Sequence, residues 1–294
     1  MFLYRLAHPF TLKGTAQHFW GYHRTYITKY TNAVQTWFVD RWRHVLTLDV
    51  ERASESISRW ATKIGTKMGM PDPTRCRCWA FIDGVFRYCC RPERDQDVLY
   101  NTYYKGHGFK YQSIVTPDGL ISDCWGPLPG RHHDIYLWYT SGCGHVCDEL
   151  PHHLSENPYF IFGDAAYKSY TCADHIVTGY PRVQNLPPHQ AQFNVAHNRV
   201  RVVVEWGFRI VTQQWGAVNF KDLEKSGLSS LGYRFLAAIL LTNMRTCLNG
   251  INQISTYFDC APPSLVEYLS KPYEEDPRMH STLDIWGSRE EEDD

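Results

Sequence analysis

No segment of this chain is long and apolar enough to suggest a bilayer span. The longest apolar run, Phe235 to Leu241, falls well short of the roughly 20 residues that a spanning helix needs. No secretory leader opens the chain, so an intracellular protein is expected. Internal repeats are missing as well, which removes solenoid architectures, and so is any clear basic import signal. A strong net charge is lacking too, but the value of -1 over 294 residues hides an asymmetry. The last six residues, Arg289 to Asp294, form an acidic, solvated tail beside a more basic remainder.

What is present fits a folded protein with a large core. Aromatic residues make up 15% of the chain, with 10 Trp and 19 Tyr, and most should be buried. The 10 cysteines read as reduced thiols in an intracellular setting. Cys143, His145, Cys147, His152 and His153 supply zinc-type ligands within a short stretch, but their spacing matches no strong zinc signature. Structural zinc is therefore not expected.

Two apolar runs each end in an aspartate, Trp79-Ala80-Phe81-Ile82-Asp83-Gly84 and Tyr159-Phe160-Ile161-Phe162-Gly163-Asp164. If both are central parallel strands, the two carboxylates emerge side by side at one sheet edge, where open α/β sheets place their ligands. A third acid, Glu205, follows on a basic-apolar segment. Two aspartates and a glutamate brought together can hold hard divalent cations for phosphodiester chemistry.

The head of the chain, to about Lys67, reads as helical. Thr11 can cap a helix carrying Leu12, Ala16 and Phe19, and a second helix from His23 is expected to bury Tyr26, Ile27, Tyr30, Ala33, Val34 and Phe38 on one face. Arg24, Thr25, Thr28 and Lys29 would then face outward at its start. This is either a helix-turn-helix, whose second helix approaches base edges, or a helical hairpin that packs on the next domain. Residues 68–77, with Pro71 and Pro73, suggest a boundary between a head at 1–70 and a catalytic domain at 75–250, with 251–294 as a C-terminal extension.

Beyond the boundary, Phe109 to Thr116 and Leu120 to Trp125 flank Pro117-Asp118-Gly119, the pattern of two antiparallel strands with a tight turn. A rigid loop, Gly126 to His133, leads into a helix at Asp134. The order strand, hairpin, helix, strand, then helices is that of the ribonuclease-H-like fold, an α/β mixed sheet flanked by helices. In it Asp134 should lie near Asp83, either as an accessory carboxylate or as a helix-capping acid. Arg131, His132 and His133 share that edge and could contact phosphates. The segment Phe193 to Arg209 is ambiguous, because its valines favour a strand. As a helix it aligns Asn198, Arg201, Glu205, Arg209 and Thr212 on one polar stripe, and Glu205 could be merely the i,i+4 partner of Arg201.

These residues resemble the PIF/Harbinger group of transposases and derived nucleases, which carry a DDE endonuclease domain. The resemblance rests on Ile82-Asp83-Gly84, Lys105-Gly106-His107-Gly108-Phe109-Lys110-Tyr111-Gln112-Ser113, Val115-Thr116-Pro117-Asp118-Gly119, and Gly126-Pro127 with Gly130-Arg131-His132-His133-Asp134. It continues through Gly163-Asp164-Ala165-Ala166-Tyr167 and Phe193-Asn194 to Arg199-Val200-Arg201-Val202-Val203-Val204-Glu205-Trp206. It implies that Asp83, Asp164 and Glu205 are the catalytic, metal-holding acids, that the stretch around Glu205 is helical, and that the head is a helix-turn-helix with a shortened first helix. Val85 and Gly207-Phe208 depart slightly from the family pattern.

The implied activity is metal-dependent cleavage of DNA, with strand transfer as a further step. Two Mg²⁺ or Mn²⁺ ions roughly 3.5–4 Å apart would serve it. Lys105 and Lys110 join the head residues as expected DNA contacts. The resemblance also implies a nuclear location reached with a separate Myb-like DNA-binding partner, cytoplasmic residence without it, and room for a homo-oligomer. A domesticated descendant that binds DNA or serves as a nuclear scaffold without cutting is the alternative.

Overall fold

In the computed structural model, residues 1–273 are described apart from 20, 95, 152–155, 170–171, 182 and 222–231. Both aspartate-bearing runs form strands at the centre of one mixed sheet. The first is β1 (Cys78–Tyr88), followed by the short helix α5 (Gln96–Leu99), β2 (Tyr100–Asn101), β3 (Gly106–Val115) and β4 (Ile121–Pro129). The second aspartate run gives β5 (Phe160–Gly163), and β6 (Ile176–Thr178) closes the sheet. The strand order is β4-β3-β1-β5-β6, with β2 joined to the start of β3. β1 pairs antiparallel with β3, and β3 antiparallel with β4, whereas β5 runs parallel to β1 and β6 parallel to β5.

The expected hairpin forms around Pro117-Asp118-Gly119. Gly119 takes a positive φ of 87°, and a Cβ there would collide with the Asn252 side chain, so both conformation and space call for glycine. Two expectations about strand ends need correcting. β1 does not stop at Asp83 but runs five residues further, because β3 continues to pair with it through Tyr88↔Gly108. β4 likewise extends through Gly126-Pro127 to Pro129, where a free loop was expected, because Phe109 and Lys110 of β3 still face Pro129 and Leu128 across an irregular register.

The helices cover both faces of the sheet. α6 (Asp134–Ser141) and α7 (Cys143–Asp148) lie on one side, where the Gln112 amide of β3 donates to Ser141 Oγ at 3.3 Å. On the other side are α4 (Val50–Met68), the 27-residue α8 (Pro188–Gln214), α9 (Tyr233–Asn249), α10 (Gln253–Phe258) and α11 (Leu265–Leu269). α4 is capped by Asp49, whose carboxylate accepts from Arg52 N at 3.0 Å, and buries Ala53, Ile57, Trp60 and Ile64 at helical spacing. Trp60 stacks on Trp79 of β1, and Phe81 stacks on Phe258 of α10. The valines at 202–204 therefore belong to a helix: with Pro188 in its first turn, α8 buries His197, Val200, Val203, Val204, Gly207, Phe208 and Val211 along one stripe.

The head comprises α1 (Phe2–Ala7), α2 (Leu12–His18) and α3 (Arg24–Trp42). Thr11 caps α2 as expected, its hydroxyl accepting from Gly14 N at 3.2 Å. The buried face of α3 differs from expectation. It consists of Ile27, Thr31, Gln35 and Val39, while Tyr26, Tyr30 and Val34 remain 42–60% exposed. The helix is rotated because α1 and α9 pack on its Ile27–Val39 stripe, and Thr31 is tolerated inside by donating to the Ile27 carbonyl at 2.6 Å. Among the described residues no helix is long and apolar enough to cross a membrane.

Candidate active site

Asp83 and Asp164 reach the same place from strands that are far apart in sequence. Parallel pairing sets Phe81 beside Phe162, so the residues two further along each strand share a sheet face at one level. β5 ends at Gly163, and Asp164 turns the chain by accepting a 2.8 Å bond from Ala166 N. Asp83 stays in β1, its Oδ1 accepting from Gly84 N at 2.8 Å and its side chain 19% exposed.

Glu205 enters from α8, by way of Arg201. The Arg201 guanidinium lies 3.4 Å from Asp83 Oδ2 and 3.0 Å from Glu205 Oε1, so one side chain joins the first and third acids. The i,i+4 pairing that the sequence admitted for Glu205 is real, and it extends across to the sheet. Glu205 remains 55% exposed, whereas Arg201 is 20% exposed. Burial, followed by the like charge of Asp164, pushes the Asp83 carboxyl up to about 7, with Arg201 and the Gly84 amide opposing and Asp134 adding to the rise. Positive charge is therefore short at Asp83. Among the described residues no group of three or more His, Cys, Asp or Glu side chains is arranged to hold a metal ion; the Arg201 guanidinium lies between Asp83 and Glu205.

Asp134 is also brought to this edge, but around the other side of β1. It is the first residue of α6 and makes no capping bond; its Oδ1 accepts from Lys110 Nζ at 2.7 Å. A Cβ on Gly84 would lie 2.9 Å from Asp134 Cγ, so the carboxylate rests against the bare backbone of the residue after Asp83. Successive β1 side chains point to opposite faces, which puts Asp134 and Lys110 on the α6 side and Asp83 on the α8 side. Lys110, expected as a DNA contact, is 6% exposed and pairs with this acid.

The remaining expected residues are more peripheral. Arg131 and His133 are exposed, and His133 occupies the cap position of α6 without a capping bond. His132 stacks on Tyr136 at 4.0 Å. Lys105 is exposed in the turn before β3, with a positive φ of 50°. Arg24, Thr25 and Lys29 are exposed and Thr28 half-buried in the first turns of α3, where His23 accepts from Thr25 N at 3.3 Å. Of the zinc-type ligands, Cys143 and Cys147 point into the core and His145 outward, while His152 and His153 lie outside the described residues.

Three site residues were not singled out from sequence. Gly84 provides the gap that Asp134 fills. Tyr104 stacks on Phe86 at 4.5 Å, and its phenol is held above the ordinary range by burial and then by Asp134 and Asp83. Tyr167 is fully buried, and its phenol is raised by burial and then by Asp134, Asp83 and Asp164. The Asp-Gly and Asp-Ala-Ala-Tyr strings held the signal for Gly84 and Tyr167, whereas nothing local marks Tyr104.

The model of the DDE superfamily endonuclease family matches residues 82–243, more than half of the chain, and this stretch includes Asp83, Asp164 and Glu205. The chain belongs to this DDE superfamily endonuclease family. Both the strand pair that aligns the two aspartates and the helix that carries the glutamate lie within or across the matched region of this DDE endonuclease domain. No curated protein and no solved structure matches the chain.

Proposed function

We propose that this protein is a divalent-metal-dependent DNA endonuclease of the DDE transposase type, of PIF/Harbinger kind, with Asp83, Asp164 and Glu205 as its catalytic acids. The observation that carries the reading is the Phe81↔Phe162 register, which sets Asp83 beside Asp164 on the face that α8 covers with Glu205. The strand order β4-β3-β1-β5-β6, with the first three strands antiparallel and the last two parallel to β1, supports a ribonuclease-H-like core. That core would occupy residues 75–250, with a helix-turn-helix head at 1–70 and an extension at 251–294.

The acids suit a hard cation by their donor chemistry, though not by their present arrangement. Their donors are carboxylate oxygens, the kind that Mg²⁺ and Mn²⁺ prefer. Burial first and the like charge of Asp164 second push Asp83 up, and a cation bound there would favour its charged form. Two such ions, held by Asp83, Asp164 and Glu205, would supply Lewis-acid activation of a water or a DNA 3′-hydroxyl and stabilisation of the leaving oxygen. The chain's own part is to hold the carboxylates in register on rigid elements, with Gly84 N–H orienting Asp83 and Ala166 N–H orienting Asp164. Exposed basic residues at Arg24, Lys29, Lys105 and Arg131 would bind the phosphate backbone. DNA in the nucleus is the proposed substrate, reached with a Myb-like partner.

A second reading, a non-cleaving DNA-binding or nuclear scaffold, is favoured by one observation: Arg201 already pairs with both Asp83 and Glu205. Plasmid nicking separates the two. Purified protein should nick supercoiled DNA only with Mg²⁺ or Mn²⁺, and Asp164→Asn should lower the rate at least about a hundredfold. Nicking that survives in the variant removes the triad assignment, and its absence from the native protein, with the Myb-like partner supplied, favours the scaffold.

A further inference from the structure

Arg201 spans 118 residues of sequence to reach Asp83 while also holding the glutamate one turn along its own helix. A guanidinium has a planar fork of donors, so it can satisfy two carboxylates at once, which an ammonium does less well. Asp83 Oδ2 and Glu205 Oε1, the oxygens it engages, belong to two of the three acids assigned to metal binding. A cation between those acids and a guanidinium at the same oxygens would compete for the same lone pairs and repel one another. Among the described residues no side chain of comparable kind holds Asp164, whose described bond goes to a backbone amide.

We infer that Arg201 is a built-in counter-ion of the acid site, which a divalent metal ion must displace from Asp83 and Glu205. The inference rests on the metal-dependent reading above and adds how the metal is admitted. Without metal, the guanidinium keeps two carboxylates of one sign together at the junction of β1 and α8. On loading, the side chain swings off along the polar stripe of α8, where Asn198, Glu205 and Arg209 are already exposed. It stays on the rim of the site, with its donor fork freed to meet a phosphate in bidentate fashion. Metal loading and phosphate binding then favour one another, and that coupling is reciprocal.

A merely structural strut predicts the opposite effect of removing Arg201. If the guanidinium only aligned the acids, its loss would let them separate and weaken metal binding. If it is a competitor, its loss tightens metal binding, because the metal no longer has to break two charge-assisted hydrogen bonds.

The test is Mn²⁺ affinity in the absence of DNA, followed by the loss of the free-ion electron paramagnetic resonance signal. The proteins are the native chain, Arg201→Met, Arg201→Lys and Asp164→Asn, each checked for folding by circular dichroism. Arg201→Met should bind Mn²⁺ about tenfold more tightly than the native chain, since one of the two contacts is long at 3.4 Å and the other is screened on a 55% exposed glutamate. Arg201→Lys, which can pair with only one acid at a time, should fall between them. Unchanged or weaker binding by Arg201→Met overturns the inference and leaves the metal reading standing, provided the native chain binds Mn²⁺ and Asp164→Asn does not. Should Arg201→Met fail to fold, Arg201→Lys decides alone, and affinity equal to or below native refutes the counter-ion role. If none of the four proteins binds Mn²⁺, the metal-dependent reading falls and takes this inference with it.

Discussion

Replacing Gly84 by alanine tests the tightest feature of the site without reference to its chemistry. The new Cβ would stand 2.9 Å from Asp134 Cγ and nearer still to Oδ1, so the carboxylate must move. It is held by Lys110 Nζ at 2.7 Å, and the lysine side chain is only 8% exposed, so movement strains a buried ion pair. Overpacking of this kind costs about 1–3 kcal/mol, and partial loss of the pair adds to it, for an expected total of about 2–4 kcal/mol. Asp134→Ala by itself leaves Lys110 short of its partner and should cost about 3 kcal/mol. Alanine at 134 also opens the space that the new Cβ needs. The Gly84→Ala/Asp134→Ala double variant should therefore be no less stable than Asp134→Ala, a coupling as large as the whole Gly84→Ala effect. Urea unfolding of the four proteins at neutral pH, compared by midpoint at equal m, measures the cycle. Additivity within about 0.5 kcal/mol would refute the claim that Gly84 is kept bare by the Asp134 carboxylate.

Two further expectations follow from groups around the sheet. Because the folded protein holds the Asp83 proton to about pH 7 against an ordinary 3.8, that group's contribution is complete below about pH 4 and is lost as pH rises through 7. Asp83→Asn mimics the protonated form, so in chelator it should gain on the native chain between pH 4 and 8 by of order 4 kcal/mol at most; a pH-independent difference in urea unfolding would show that Asp83 is not perturbed. Asn243 is buried on α9, accepts from Ile121 N at 3.1 Å and donates to Ile121 O at 2.9 Å and to Tyr268 Oη at 3.0 Å. Asn243→Ala should cost about 2–4 kcal/mol by stranding both backbone groups of Ile121, with faster amide exchange at Ile121 as the local readout; a loss below about 0.5 kcal/mol would mean that these groups find other partners.

Local pattern alone determined a good part of this protein. Apolar runs of strand length marked β1 and β5, Pro117-Asp118-Gly119 marked the hairpin, and Thr11 marked the start of α2, because each is encoded by neighbours within a few residues. Asp83 and Asp164 stood out as candidates for a related reason, since hard-ligand side chains after apolar runs are chemically distinctive before any fold is known, whereas the role proposed for Glu205 came from the family resemblance. Tertiary structure decided what depends on partners distant in sequence. β1 outruns Asp83 only because β3 lies alongside, and α3 buries Thr31 and Gln35 in place of Tyr26 and Tyr30 because α1 and α9 approach from that side. The same holds within the site. Lys110 became a buried partner of Asp134 when α6 folded over β3, and Arg201 reached past Glu205 to Asp83 when α8 settled on β1. An i,i+4 pair can be read from a helix, but a third member supplied by another strand is set by packing, which no local period encodes.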